Sequence, residues 1–114
     1  TTAAEVKPIL DATKSSWVAV RVVGGQDLLY FTQIESWRGG LREIRYSVNG
    51  GSSAVKAMER CYRATPAPNA FKLDGHVPYV TLPGNSVSEV SVTLTFEDGT
   101  PSQATMQRGQ IEIR

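Results

Sequence analysis

Hydrophobic and polar residues alternate most cleanly between Val87 and Phe96. Val90, Val92, Leu94 and Phe96 fall on one face of an extended chain, and Glu89, Ser91, Thr93 and Thr95 on the other. Side chains on a strand point to opposite faces in turn, so this stretch predicts a strand with one dry and one wet face. Asp98-Gly99 follows as a tight turn. The same rhythm recurs over residues 16–23, where Val18, Val20 and Val22 share the expected core face and Trp17, Ala19 and Arg21 lie opposite. A strand is expected over 28–37, apolar on both faces in its first half, and another over 41–48 with Ile44, Tyr46 and Val48 inward. Gly24-Gly25 and Asn49-Gly50-Gly51 are the turn signals that bound these runs.

Other segments carry a weaker rhythm. Residues 1–15 predict an N-terminal arm or a short helix: Val6, Ile9 and Leu10 have helical spacing, but Pro8 suits only the first turn of a helix. Over 53–62, Val55, Met58 and Tyr62 recur at helical steps, so a helical turn is expected there, with a strand as the alternative. Pro66 and Pro68 make 64–69 irregular. A short strand is expected at 69–73. Another at 77–82 is confined by Pro78 to a sheet edge. The final strand is expected over 102–114 with a bulge at Gly109.

Short strands with turn signals at regular spacing predict an all-β fold. The expected form is an antiparallel β-sandwich of about seven strands spanning 16–114. The architecture resembles immunoglobulin-like or fibronectin-type modules in strand count alone, without their Cys–Trp–Cys pattern.

Composition narrows function by exclusion. The chain of 114 residues is 40% hydrophobic and 20% charged, the balance of a folded domain rather than a disordered one. Twelve basic and eleven acidic residues give a formal net charge of +1, too even for a protein held to nucleic acid by its overall field. No apolar run approaches the roughly 20 residues of a membrane-spanning helix. The opening Thr1-Thr2-Ala3-Ala4 suits a processed terminus, so the expected location is periplasmic or extracellular, with the cytoplasm second.

Candidate chemistry is sparse. His76 is the only histidine and Cys61 the only cysteine; with Asp74 they form the one conceivable reactive set, that of a small enzyme or enzyme inhibitor. Against this, Asp74-Gly75-His76 has the composition of a turn, and free cysteines are commonly buried. One His and one Cys leave too few ligands for zinc, and no cofactor or metal is expected. Trp37, Arg38 and Arg42 form the candidate binding group, because an exposed tryptophan with arginines can anchor an interface or stack on a sugar; Trp37 closing the core end is the plainer alternative. Lys56, Arg60 and Arg63 would share one helical face. The expected function is therefore non-enzymatic binding of another macromolecule: protein first, carbohydrate second, nucleic acid not.

Overall fold

The computed structural model describes residues 2–62, 65–72 and 76–113. The chain is mostly β, with two antiparallel sheets and three short helices. Helix α1 (Ala3–Ala12) comes first, then strands β1 (Ala19–Val23) and β2 (Gln26–Tyr30), the single-turn helix α2 (Thr32–Glu35), β3 (Leu41–Val48) and β4 (Ala54–Val55). Strands β5 (Tyr79–Pro83), β6 (Glu89–Phe96) and β7 (Pro101–Gln107) follow, and a last helical turn, α3 (Arg108–Ile111), completes the order. One sheet runs β1-β2-β5 and the other β4-β3-β6-β7. No helix among the described residues is long and apolar enough to cross a membrane.

The alternating segment occupies the centre of the larger sheet. Val90, Val92, Leu94 and Phe96 are fully buried, and the intervening residues of β6 are half-buried. Val20 and Leu29 of the smaller sheet join Ile44, Val92 and Leu94 of the larger one in a single hydrophobic core. Turn chemistry sets the registers. Gly24 and Gly25 both have positive φ (59° and 77°), as a two-residue type I′ hairpin requires, and Val23 pairs with Gln26 directly across it. β5 lies at the edge of its sheet, the place expected for the strand after Pro78.

Helix α1 resolves the arm-or-helix alternative. It begins at Ala3, capped by Thr2 Oγ1 accepting from the Glu5 amide, and holds Pro8 in its interior. Pro8 is exposed, while Val6 and Leu10 on the opposite side are fully buried in the common core, so packing outweighs the lost backbone bond. The helix comes so close to the turn at Arg38–Gly40 that a Cβ on Gly40 would stand 2.7 Å from Val6 Cγ2 and 2.8 Å from the Thr2 carbonyl oxygen.

Four expectations are corrected. The strand over 28–37 stops at Tyr30, and the chain then turns helically so that Phe31, Ile34 and Glu35 all face inward. No helix forms over 53–62: Ala54–Val55 is a short strand, and the Lys56 amide donates to the Ile44 carbonyl, which holds the backbone extended. Residues 69–72 form no strand, and Leu73 lies outside the described residues. The last strand ends at Gln107, where Gln107 and Gln110 close a capping box and start α3, turning Ile111 into the core. Trp17 is also repositioned. It precedes β1, is fully buried, and donates its indole N–H to the Leu10 carbonyl at 2.8 Å, whereas Val22 at the far end of β1 is 45% exposed.

Candidate functional site

A cleft opens beside β1. It encloses about 400 Å3 and is lined by Ser16, Trp17, Val18, Ala19, Arg21, Tyr30, Thr32, Gln33 and Ile113. Its construction follows from the register. Ala19 pairs with Tyr30, so both point to the outer face of the smaller sheet, and Tyr30 packs against Tyr79 of the next strand with ring centroids 5.2 Å apart. The end of the chain forms a wall: the Ile113 amide donates to the Val20 carbonyl at 2.8 Å, and Val20 and Glu112 form a parallel bridge. Val22, Val23 and Ile113 are each 45–50% exposed around this edge. The Arg21 side chain lines the cleft with no hydrogen-bond or ion-pair partner among the described residues. The site therefore offers an apolar hollow, an exposed apolar rim and one unpaired cation.

The second feature is a cluster of buried charges built from Glu35, Lys56, Glu59 and His76. Glu35, fully buried at the end of α2, has Lys56 Nζ 3.0 Å from one carboxylate oxygen and His76 Nε2 3.0 Å from the other. Lys56 also donates to the carbonyls of Ala57 (2.7 Å) and Val77 (3.1 Å). Close by, the buried Glu59 accepts from the Tyr62 hydroxyl and from the Lys72 amide. The hydrogen bond to Glu59, with burial behind it, raises the Tyr62 pKa above the ordinary phenol value. Chemically the cluster is an ion-pair lock that fastens two irregular segments to α2.

The candidate binding residues part company. Trp37 is half-buried against the core. Arg38 is 3% exposed: it donates to the carbonyls of Glu35 (3.1 Å), Arg60 (3.1 Å), Asn69 (2.6 Å) and Ala70, and stacks its guanidinium 4.9 Å from the Phe71 ring centre. An arginine has five donors in a rigid fork, and here they organise the interior of a long loop instead of facing solvent. Arg42 alone is exposed, donating to the Glu97 carbonyl at 2.9 Å. These three side chains do not form a surface group. Lys56 and Arg60 likewise separate, one buried and one exposed, while Arg63 lies outside the described residues.

Of the reactive set, Cys61 and His76 are described, and they bind different partners. Cys61 is half-buried with Sγ 3.9 Å from Asn69 Oδ1, His76 binds Glu35, and no hydrogen bond joins Cys61 to His76. Asp74 lies outside the described residues. Among the described residues no group of three or more His, Cys, Asp or Glu side chains could hold a metal ion. Comparison with known proteins finds no matching family, no similar curated protein and no similar solved structure.

Proposed function

We propose that this chain is a non-enzymatic β-sandwich module, immunoglobulin-like in kind, that acts by binding a partner protein. The shared core of the two sheets supports the sandwich arrangement. The observation that carries the binding role is the cleft beside β1, a hollow of about 400 Å3 lined by the half-exposed Ile113 and by Arg21, whose side chain has no partner among the described residues, with Val22 lining an adjoining cleft. A segment presenting one large apolar residue and a neighbouring carboxylate would match it, filling the hollow and pairing with Arg21.

The test is capture from an extract of the source cells with two baits, the native chain and an Arg21→Glu, Ile113→Asp variant. A protein retained by the native bait and lost from the variant, both baits melting at the same temperature, is the expected result. Equal recovery on both baits would remove the cleft from the binding surface.

A further inference from the structure

The larger sheet leaves one long edge open. In the β6–β7 pair the Phe96 amide donates to the Thr100 carbonyl at 2.9 Å, and at the other end the Arg108 amide donates to the Ser88 carbonyl at 2.8 Å. Hydrogen-bonded and non-hydrogen-bonded pairs alternate along an antiparallel ladder. Both ends therefore place the bonded positions at Ser102, Ala104 and Met106, and turn the backbone groups of Pro101, Gln103, Thr105 and Gln107 away from β6. Pro101 has no N–H, and the Gln107 amide is taken by Gln110 Oε1 at 2.8 Å. The N–H and C=O groups of Gln103 and Thr105 have no partner among the described residues.

The other edges are shorter or partly covered. β4 has two residues, and β1 meets Glu112 at Val20. β7 has seven residues, Pro-Ser-Gln-Ala-Thr-Met-Gln, and carries no charge. Proteins usually guard such an edge with charged side chains, bulges or a covering segment. Beside Ala104, Thr105 and Met106 a cleft of about 320 Å3 separates the strand from Lys14 and Ser15, leaving room alongside the edge.

We infer that β7 pairs with β7 of a second copy of this chain, antiparallel across a two-fold axis at Ala104. The open window is its own complement. Gln103 and Thr105 are equidistant from Ala104, and so are the two positions that close the window, Pro101 and Gln107. About the axis, Gln103 exchanges both backbone hydrogen bonds with Thr105 of the second copy, and Thr105 with Gln103. Ala104 meets Ala104 as the close, non-hydrogen-bonded pair, where Cα atoms stand about 4.5 Å apart and a methyl group fits. On the wet face, the Gln103 amide lies opposite the Thr105 hydroxyl, and β7, which has no charged residue, sets no like charges against each other. The two four-stranded sheets become one continuous sheet.

Light scattering and sedimentation of the purified chain over a wide concentration range test the pairing. The expected result is a mass that rises to twice that of the monomer with concentration. Gln103→Pro removes an outward N–H and no bond to β6, so it is expected to leave a monomer with the melting temperature unchanged. Ala104→Cys in a Cys61→Ser background is expected to give a disulfide-linked dimer under mild oxidation, because the axis brings the two positions within disulfide range. If Gln103→Pro fails to fold, the cross-link decides. A native chain that stays monomeric at its highest soluble concentration overturns the pairing, including when the edge accepts a strand of another protein instead. So does a dimer that survives Gln103→Pro with no cross-link through position 104.

Discussion

Asp27 and Glu35 are both fully buried carboxylates, eight positions apart in the chain, and their surroundings have little else in common. Asp27 sits in β2 and accepts from the amides of Asn85 (2.9 Å) and Val87 (3.1 Å) and from the forked guanidinium of Arg108 (2.7 and 3.3 Å). The Arg108 hydrogen bonds hold its pKa down to about 2 against the opposing pull of burial, with the two amides assisting. Arg108 is in turn pushed above its ordinary value by Asp27 and by Glu112. Among the described residues, the Glu35 carboxylate meets side chains alone, the ammonium of Lys56 and the imidazole of His76, both carried by irregular segments. A carboxylate bound by main-chain amides and an arginine is fixed by the fold itself. One bound by a lysine and a histidine is only as secure as the segments that bring them. The first joins β2, the turn before β6 and the start of α3; the second ties down a long connection.

Breaking the Asp27 arrangement should cost most. Asp27→Ala takes the acceptor from the buried Val87 amide and from the Asn85 amide, leaves Arg108 with Glu112 and the Val87 carbonyl, and is expected to lower unfolding stability by about 4 kcal/mol, read from urea denaturation. Lys56→Met keeps the bulk of the side chain but leaves Glu35 with His76 alone; a loss of about 3 kcal/mol is expected by the same measurement.

Acid sharpens the contrast. Because the folded-state pKa of Asp27 lies below its unfolded value of 3.8, its contribution is complete above that value and is lost as pH falls toward about 2. Asp98 acts in the same window, lowered to about 2 chiefly by the Thr100 hydroxyl, with the Thr100 amide and Lys7 assisting. The native chain should therefore lose stability steeply between pH 4 and pH 2, and Asp27→Asn should flatten that slope, as seen in urea midpoints across the range. The smallest effect is expected from His76→Gln, which retains a donor toward Glu35: under about 1 kcal/mol, with α2 intact by amide hydrogen exchange.

The contrast also explains which parts of the molecule were legible beforehand. The alternation of β6, the inward Ile44 of β3 and the edge position of β5 are local facts, written in side-chain period and in one proline. The burial of Glu35 and Lys56 was not legible, because a buried charge looks the same in sequence as a solvated one; its partners come from distant segments. A trace did exist. Leu28, Phe31 and Ile34 recur every three residues, a helical interval inside a run whose composition predicts a strand, and that interval sets Glu35 one turn after Phe31, facing inward. Arg38 was misjudged for the same reason, since its acceptors are main-chain carbonyls that leave no signature. The cleft beside β1 was out of reach because the terminal segment that walls it pairs with β1 across most of the chain's length.

The link between Asp27 and Arg108 has a temporal meaning. Eighty-one positions separate them, so a nascent polypeptide still attached to the ribosome has made the acid long before its base. Until Arg108 emerges, β2 carries an uncompensated negative group that resists being enclosed. Native packing is thereby deferred until synthesis has passed Arg108, and products truncated before Arg108 should stay open to proteases.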